Sequence, residues 1–476
     1  MSNQPAFCVH GHFYQPPRED PITGEIPLES GAAPYRNWNE KIFYDCYKPN
    51  AEVGNFERIS FNIGPTLCQW MAEFEPATLK RIVEQENRCH VRYGIGNGMA
   101  QAYNHTILPL MSRRDKVTQI RWGLMDFQHW FGHAATGMWL PETAVDMETL
   151  EVMAENGVQF TILAPWQADQ SGLDVTQPYT VHLPGGKKIT VFFYEQDLST
   201  RISFDPIATT NADLFSRDFL LPKFLSPNHH RPMVLTASDG ELYGHHQPFR
   251  EKFLNFLFTK SLQEDGIEWT FPGLWMRQHP PQRSVKILEN TSWSCHHGVT
   301  RWSGDCSCTP HSSWKKPFRD ALLKLAWAVD DIFVKEMTPR AKGDVWEWRD
   351  AYSQVLLREV PPEVYVAQRA GQEVAPVESQ KIQWLLQAQY ERQRMFTSCG
   401  WFFDDFDRIE PQNNVAYAAS AVWRTLQATG INLEGQVVEW LRPVKSWRSG
   451  LEADAVFLQY IQRAHTLQVL PIQQAV

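Results

Sequence analysis

Met233-Val234-Leu235-Thr236-Ala237-Ser238-Asp239-Gly240-Glu241 is the stretch on which the fold turns. Met233–Ala237 is a mostly apolar run of strand length, and it breaks into a polar cluster headed by Asp239. The arrangement recurs upstream. Ala6–Val9 runs into His10-Gly11-His12-Phe13-Tyr14-Gln15-Pro16, and the strand-like Thr136–Leu140 runs through Pro141 into Glu142. Ile59–Ile63 and Val158–Ala164 read as further strands. Tyr179–Leu183 and Ile189–Tyr194 flank Pro184-Gly185-Gly186 as a hairpin. Arg113–Phe131, Thr143–Asn156 and Phe249–Leu262 carry apolar residues at helical spacing, and Gly157 stops the second of these. Strands alternating with helices predict an α/β fold with a parallel sheet. In a parallel βα barrel, residues just past the strand C-termini converge on one face. That face is expected to carry His10, His12, Glu142 and Asp239 together.

After about residue 312 the pattern changes. Trp314–Lys335, Val345–Glu359, Ser379–Phe396, Asn414–Ala428 and Leu451–Leu467 read as helices, and Val360–Pro376 reads as a loop. The expected organisation is a catalytic α/β barrel over residues 1–312. A mostly helical C-terminal domain over 313–476 is expected to complete the active-site cleft.

Composition narrows the function. The chain has 476 residues, a net charge of −9, 43% hydrophobic and 21% charged residues, which is ordinary globular usage. A nucleic-acid or anionic-membrane binder carries a basic excess, so neither partner is expected. No apolar run reaches the ~18 residues of a spanning helix. The N-terminal residues lack the basic and apolar regions of a secretory signal. A cytoplasmic protein with its eight cysteines reduced is therefore expected. Nineteen tryptophans suit core packing and sugar stacking alike.

Two carboxylates delivered by different strands suit glycosidic cleavage: one attacks the anomeric carbon, the other protonates the leaving oxygen and then activates water. One must be ionised and one protonated near neutral pH, a difference that burial or a neighbouring charge supplies. The plainer readings are a helix N-terminal carboxylate for Glu142 and a turn residue for Asp239. The two together, with the histidines, favour chemistry.

With these residues in place, the sequence resembles glycoside hydrolase family 57. His10, His12, Gln15 and Pro16 are similar to its first motif, and His105 within Asn104-His105-Thr106-Ile107-Leu108-Pro109-Leu110 to its second. Gly137, Trp139 and Glu142 match the third; Asp239, Gly240, Glu241 and Gly244 match the fourth. Cys399-Gly400-Trp401-Phe402-Phe403-Asp404-Asp405 is the candidate fifth. The resemblance covers residues 1–250 best. It implies an incomplete TIM-like (β/α)7 barrel followed by a helical domain, acting on α-glucans with retention of configuration. It makes Glu142 the nucleophile and Asp239 the general acid/base. It places His10, His12, Gln15, His105, Trp139, Glu241, His245, His246, Trp401, Asp404 and Asp405 at the substrate, with Trp139 and Trp401 stacking on sugar rings. The expected activity is amylase-like hydrolysis of malto-oligosaccharides, glycogen or starch. A 4-α-glucanotransferase or branching enzyme would use the same machinery.

Two other classes stay in view. A metal-dependent sugar hydrolase or deacetylase could take two ligands from His10 and His12, but no His-x-Asp pair accompanies them. A non-catalytic glucan-binding protein would keep the tryptophans without needing both carboxylates. Cys295-His296-His297, Cys306-Ser307-Cys308 and His311 contain the ligand types for zinc. One residue between Cys306 and Cys308, and ten between Cys295 and Cys306, depart from the usual paired spacing. The expectation is therefore no metal and no cofactor, with Trp293 and Trp302 on a loop near the cleft.

Overall fold

A computed structural model describes residues 4–224 and 232–468. Its strands are β1 (Ala6–Phe13), β2 (Ser60–Ile63), β3 (Ala100–Gln101), β4 (Met138–Trp139), β5 (Phe160–Leu163), β6 (Tyr179–His182), β7 (Lys188–Phe193), β8 (Met233–Asp239), β9 (Glu268–Trp269) and β10 (Arg283–Ser284). The chain divides into two compact units. One holds the described residues up to Pro17 with Leu28–Tyr103 and Gly123–Ser294; the other holds Arg18–Pro27, Asn104–Trp122 and the residues from Cys295 onward. Residues 295–312 thus group with the helical unit, where a single cut after 312 leaves them with the strands.

In the first unit β1 lies between β2 and β8, parallel to both. A parallel bridge joins Phe61 of β2 to Gly98, beside β3; β3 pairs β4; a second bridge joins Gly137 to Phe160 of β5; and β5 pairs β7, all parallel. Glu195, just past β7, donates its N–H to Leu235 O of β8 at 2.6 Å. The expected hairpin is present as antiparallel β6–β7. The two-residue strand period sorts side chains. Ala6 and Cys8 of β1, Phe160 and Ile162 of β5, and Met233, Leu235 and Ala237 of β8 pack into one core with Met99, Trp139, Phe192 and Trp275. His10, His12 and Asp239 continue the same alternation at the carboxyl ends, so that face turns from apolar to polar along each strand.

Four helices differ from their sequence expectation. The helix expected over Thr143–Asn156 begins at Met147, because Asp146 caps it by accepting from Thr149 N at 2.8 Å. The loop expected at Val360–Pro376 contains the helix Pro362–Ala370, started by Pro362 and stopped by Gly371 at φ 65°. Here Pro and Gly punctuate a helix rather than a turn. Phe249–Leu262 is α-helical only over Arg250–Phe256 before a π-turn at Leu257–Ser261, and Val345–Glu359 is split into Trp346–Asp350 and Ser353–Leu356.

The second unit is built on helices Lys315–Met337, Pro376–Arg394, Ile409–Thr429 and Ala453–Gln468. A buried ion network crosses its interior, where Asp115 meets Arg349 at 3.1 Å and Arg392 at 2.9 Å. None of the described helices is long and apolar enough to cross a membrane.

Candidate active site

β1 sets the site's register. His12 stands level with Asn62 of β2 on one side and with Asp239 of β8 on the other, and His10 stands level with Ser60. Both imidazoles are buried. His10 Nδ1 lies 2.9 Å from Ser60 Oγ and its Nε2 3.3 Å from Asn62 Oδ1. The Asn62 amide also reaches His12 Nδ1 at 3.0 Å and donates to Gln101 Oε1 at 2.7 Å. Burial, with His12 beside it, pushes His10 down to about 3; burial pushes His12 down to about 4, the Asn62 hydrogen bond only partly offsetting it. Both rings are therefore neutral near neutral pH. They lie over the Trp139 indole at centroid separations of 4.7 and 5.3 Å, while Trp293 meets it edge-on at 5.1 Å. Trp139 is fully buried, so it is the floor beneath the histidines and has no face to offer a sugar, contrary to the stacking expectation.

Glu142 does not open a helix. It sits at φ 58°, followed by Thr143 at φ 49°, in a tight turn before the Asp146 cap. Left-handed backbone is costly for a residue with a side chain and persists only where its surroundings impose it. Trp293 N donates to Glu142 O at 3.0 Å, and Glu142 Oε2 accepts from Trp293 Nε1 at 2.9 Å and Ser294 Oγ at 2.7 Å. Macrodipole stabilisation is thus not the reason for this carboxylate. Asp239, at the carboxyl end of β8, opens to solvent but is crowded by protein on its other sides. Desolvation, and secondarily the Glu142 charge, push its carboxyl up to about 7. Gly240 follows because a Cβ there would meet the Phe13 ring at 2.3 Å.

Glu241 is buried one step behind. Its Oε1 accepts from Tyr47 Oη at 2.6 Å and Tyr14 N at 3.1 Å, and Gln15 Nε2 donates to Tyr47 Oη at 3.1 Å. Burial raises Glu241 to about 8 against the Tyr47 hydrogen bond. Gln15 and Glu241 thus form a brace behind Asp239. His245 is held by Asp45 Oδ2 at 2.9 Å and meets the Trp38 edge, and His246 leans on His245 at the surface.

The remaining expected residues lie in the second unit. His105, at φ 53°, is buried with Nδ1 2.6 Å from Ser398 Oγ. Trp401 is fully buried against Phe318, Phe396 and Arg319, which leaves no ring face for a sugar. Buried Asp405 accepts from Ser446 Oγ at 2.6 Å and from the N–H groups of Trp447 and Arg448, and so shapes that loop rather than a ligand. Asp404 pairs with Arg448 at 2.8 Å. For Trp401 and Asp405, packing and loop closure replace the expected contact with sugar.

Asn62, Gln101 and Tyr47 are site residues that sequence reasoning missed. Asn62 had a signal: a lone amide in the strand Ser60-Phe61-Asn62-Ile63 near its carboxyl end. Tyr47 had none. The cysteine segment also differs from expectation: Cys295, His297, Cys306 and Cys308 bring one ligand atom each within 4.8 Å of one another.

Two carboxyls on strand ends, one pushed towards neutral pH and one held by donors, form an arrangement that acid-assisted glycoside cleavage can use. The chain belongs to glycosyl hydrolase family 57, whose model matches residues 32–288. A second model, a domain of unknown function (DUF3536), matches residues 311–472. An α-amylase of Pyrococcus abyssi is 21% identical over 272 residues, 54% of this chain and 39% of that protein. A 4-alpha-glucanotransferase of Thermococcus litoralis is 24% identical over 212 residues, 43% of this chain and 30% of that one. The chain thus spans well under half the length of these relatives. Among solved structures, an exo-type maltose-forming amylase from Pyrococcus sp. ST04 superposes with a TM-score of 0.77 at 16% identity, covering 98% of this chain and 92% of that one. A branching enzyme from Pyrococcus horikoshii gives 0.61 at 14% identity, covering 98% and 96%.

Proposed function

We propose that this protein is an α-glucan-active enzyme that cleaves α-1,4 linkages by double displacement with retention, acting in the cytoplasm on malto-oligosaccharides or glycogen. The observation that carries this is Asp239. Its carboxyl titrates near 7 beside Glu142, itself held at one oxygen by Trp293 and Ser294. In the first step Glu142 attacks the anomeric carbon while protonated Asp239 gives its proton to the leaving glycosidic oxygen. In the second, ionised Asp239 takes a proton from water, which displaces Glu142 from the sugar. Two inversions restore the starting configuration. The strand neighbours β8–β1–β2–β3–β4–β5–β7 support an incomplete seven-stranded barrel as the frame, with both carboxyls at strand C-termini.

Hydrolysis is the leading reading, and transfer as a 4-α-glucanotransferase or branching enzyme on the same two carboxylates is the alternative. The test is product analysis of the full chain with maltoheptaose and glycogen, beside Glu142→Gln and Asp239→Asn. Shorter oligosaccharides with rising reducing ends, lost in both variants, are expected. Longer oligosaccharides with constant reducing ends would replace hydrolysis by transfer on the same pair. Products that persist in both variants would overturn the assignment of the two carboxylates.

A further inference from the structure

Two tight turns of the second unit face each other. In the first, Gly298 N donates to Cys295 O at 3.1 Å and Gly298 adopts φ 73°, which presents Cys295 and His297 together. In the second, Thr309 N donates to Cys306 O at 2.9 Å, which presents Cys306 and Cys308 together. The Cys295 sulfur lies 3.5 Å from that of Cys306 and 3.9 Å from that of Cys308, and His297 Nδ1 lies 3.4 Å from the sulfurs of both Cys306 and Cys308. A tetrahedral zinc ion with Zn–S and Zn–N bonds of ~2.3 and ~2.05 Å demands edges of about 3.8 Å between sulfurs and about 3.6 Å from sulfur to nitrogen. The four measured separations fall within about 0.3 Å of those edges.

We propose that Cys295, His297, Cys306 and Cys308 hold one structural zinc ion. The surroundings fit a charged centre. Zinc with three thiolates and one imidazole carries a net −1, and buried Lys315 stands within electrostatic reach of Cys295 and Cys306. Its ammonium, which also lies within electrostatic reach of Asp404, has no hydrogen-bond partner among the described residues, so a net-negative centre beside it would offset part of the cost of burying it. Backbone N–H groups point at the sulfurs: that of His296 at Cys308 and that of Cys308 at Cys306. Cys306 N donates in turn to Ser312 Oγ at 2.9 Å, which fixes the second turn. All eight cysteines are free thiols in this structure, so no disulfide accounts for the cluster. Four protein ligands leave no open position, so the ion holds structure and takes no part in chemistry. An iron–sulfur cluster spreads its ligands over at least two irons and needs wider spacing than this.

The test is metal analysis of the full chain, expressed with zinc and purified without chelator. About one zinc per chain is expected, with at least a tenfold lower content in a Cys306→Ser/Cys308→Ser double variant and no change in Cys399→Ser, whose thiol lies outside the cluster. Should the double variant not fold, cobalt exchange into the parent chain decides. Tetrahedral d–d bands with thiolate-to-metal charge transfer are expected. A parent chain that purifies without zinc and binds cobalt without thiolate bands would overturn the proposal. So would one that carries copper or iron in zinc's place.

Discussion

Ser294 Oγ donates to Glu142 Oε2 at 2.7 Å, and the neighbouring Trp293 indole donates to the same oxygen at 2.9 Å. Two adjacent residues thus set the orientation of a carboxylate whose backbone is itself left-handed. Hydrogen bonds to charged groups contribute about 1.5–3 kcal/mol each. Ser294→Ala should therefore lower kcat about 10- to 100-fold with a smaller change in KM, because in the proposed mechanism the bond positions the attacking carboxylate. Steady-state kinetics on maltoheptaose measures both; a change confined to KM would place Ser294 at the substrate instead.

Asp239 predicts an alkaline limb. Its pKa is raised in the folded state, so the acid form persists up to about pH 7 and kcat should fall as pH rises through that value. Stability follows the same sign. The folded chain holds this proton where the unfolded one has lost it, so the contribution is complete below about pH 4 and is lost as pH rises through about 7. Asp239→Asn should flatten that slope in thermal melts recorded from about pH 4 to 8. An unchanged slope would show that Asp239 titrates normally.

His10 and His12 predict the opposite sign. Burial depresses both, so each stabilises the fold above the unfolded value of about 6.5, and the effect is lost as pH falls through about 4 and 3. Imidazole NMR shifts should show two neutral rings at about pH 5.5, where a solvent-exposed histidine is mostly charged. A charged ring there would mean that a substrate-side carboxylate reaches it.

Trp401 separates packing from sugar binding. Its ring is enclosed by Phe318, Phe396 and Arg319. Trp401→Ala should cost about 3–5 kcal/mol of stability by opening a cavity, and Trp401→Phe less. KM per folded molecule should stay within about twofold in Trp401→Phe, since no contact with the sugar is removed. A rise in KM without loss of melting temperature would return Trp401 to the substrate.

Much of this was legible in the chain. Short apolar runs ending in His10-Gly11-His12, Pro141-Glu142 and Asp239-Gly240-Glu241, alternating with helical patterns, pointed to an α/β fold with polar residues at strand C-termini, because run length and the break from apolar to polar are local properties. The helical half was readable too, except at Pro362–Ala370, where its own start and stop signals looked like a loop. Glu142, Asp239, His10 and His12 came from sequence; which faces are covered did not. Trp139 and Trp401 have the same chemistry as any sugar platform, and only neighbours far along the chain decide that both are buried.

What sequence alone determined was therefore the α/β character of the first unit and the placing of His10, His12, Glu142 and Asp239 at or just past strand ends. Tertiary structure decided the rest. Register placed Asn62 and Asp239 on either side of His12, and the protein packed around them raised the Asp239 carboxyl and kept the two buried histidines neutral. Folding likewise brought one ligand atom each of the ill-spaced Cys295, His297, Cys306 and Cys308 within 4.8 Å of one another. Spacing along a chain bounds which groups can meet, but burial and convergence are set by what packs around them, and no local stretch contains that information.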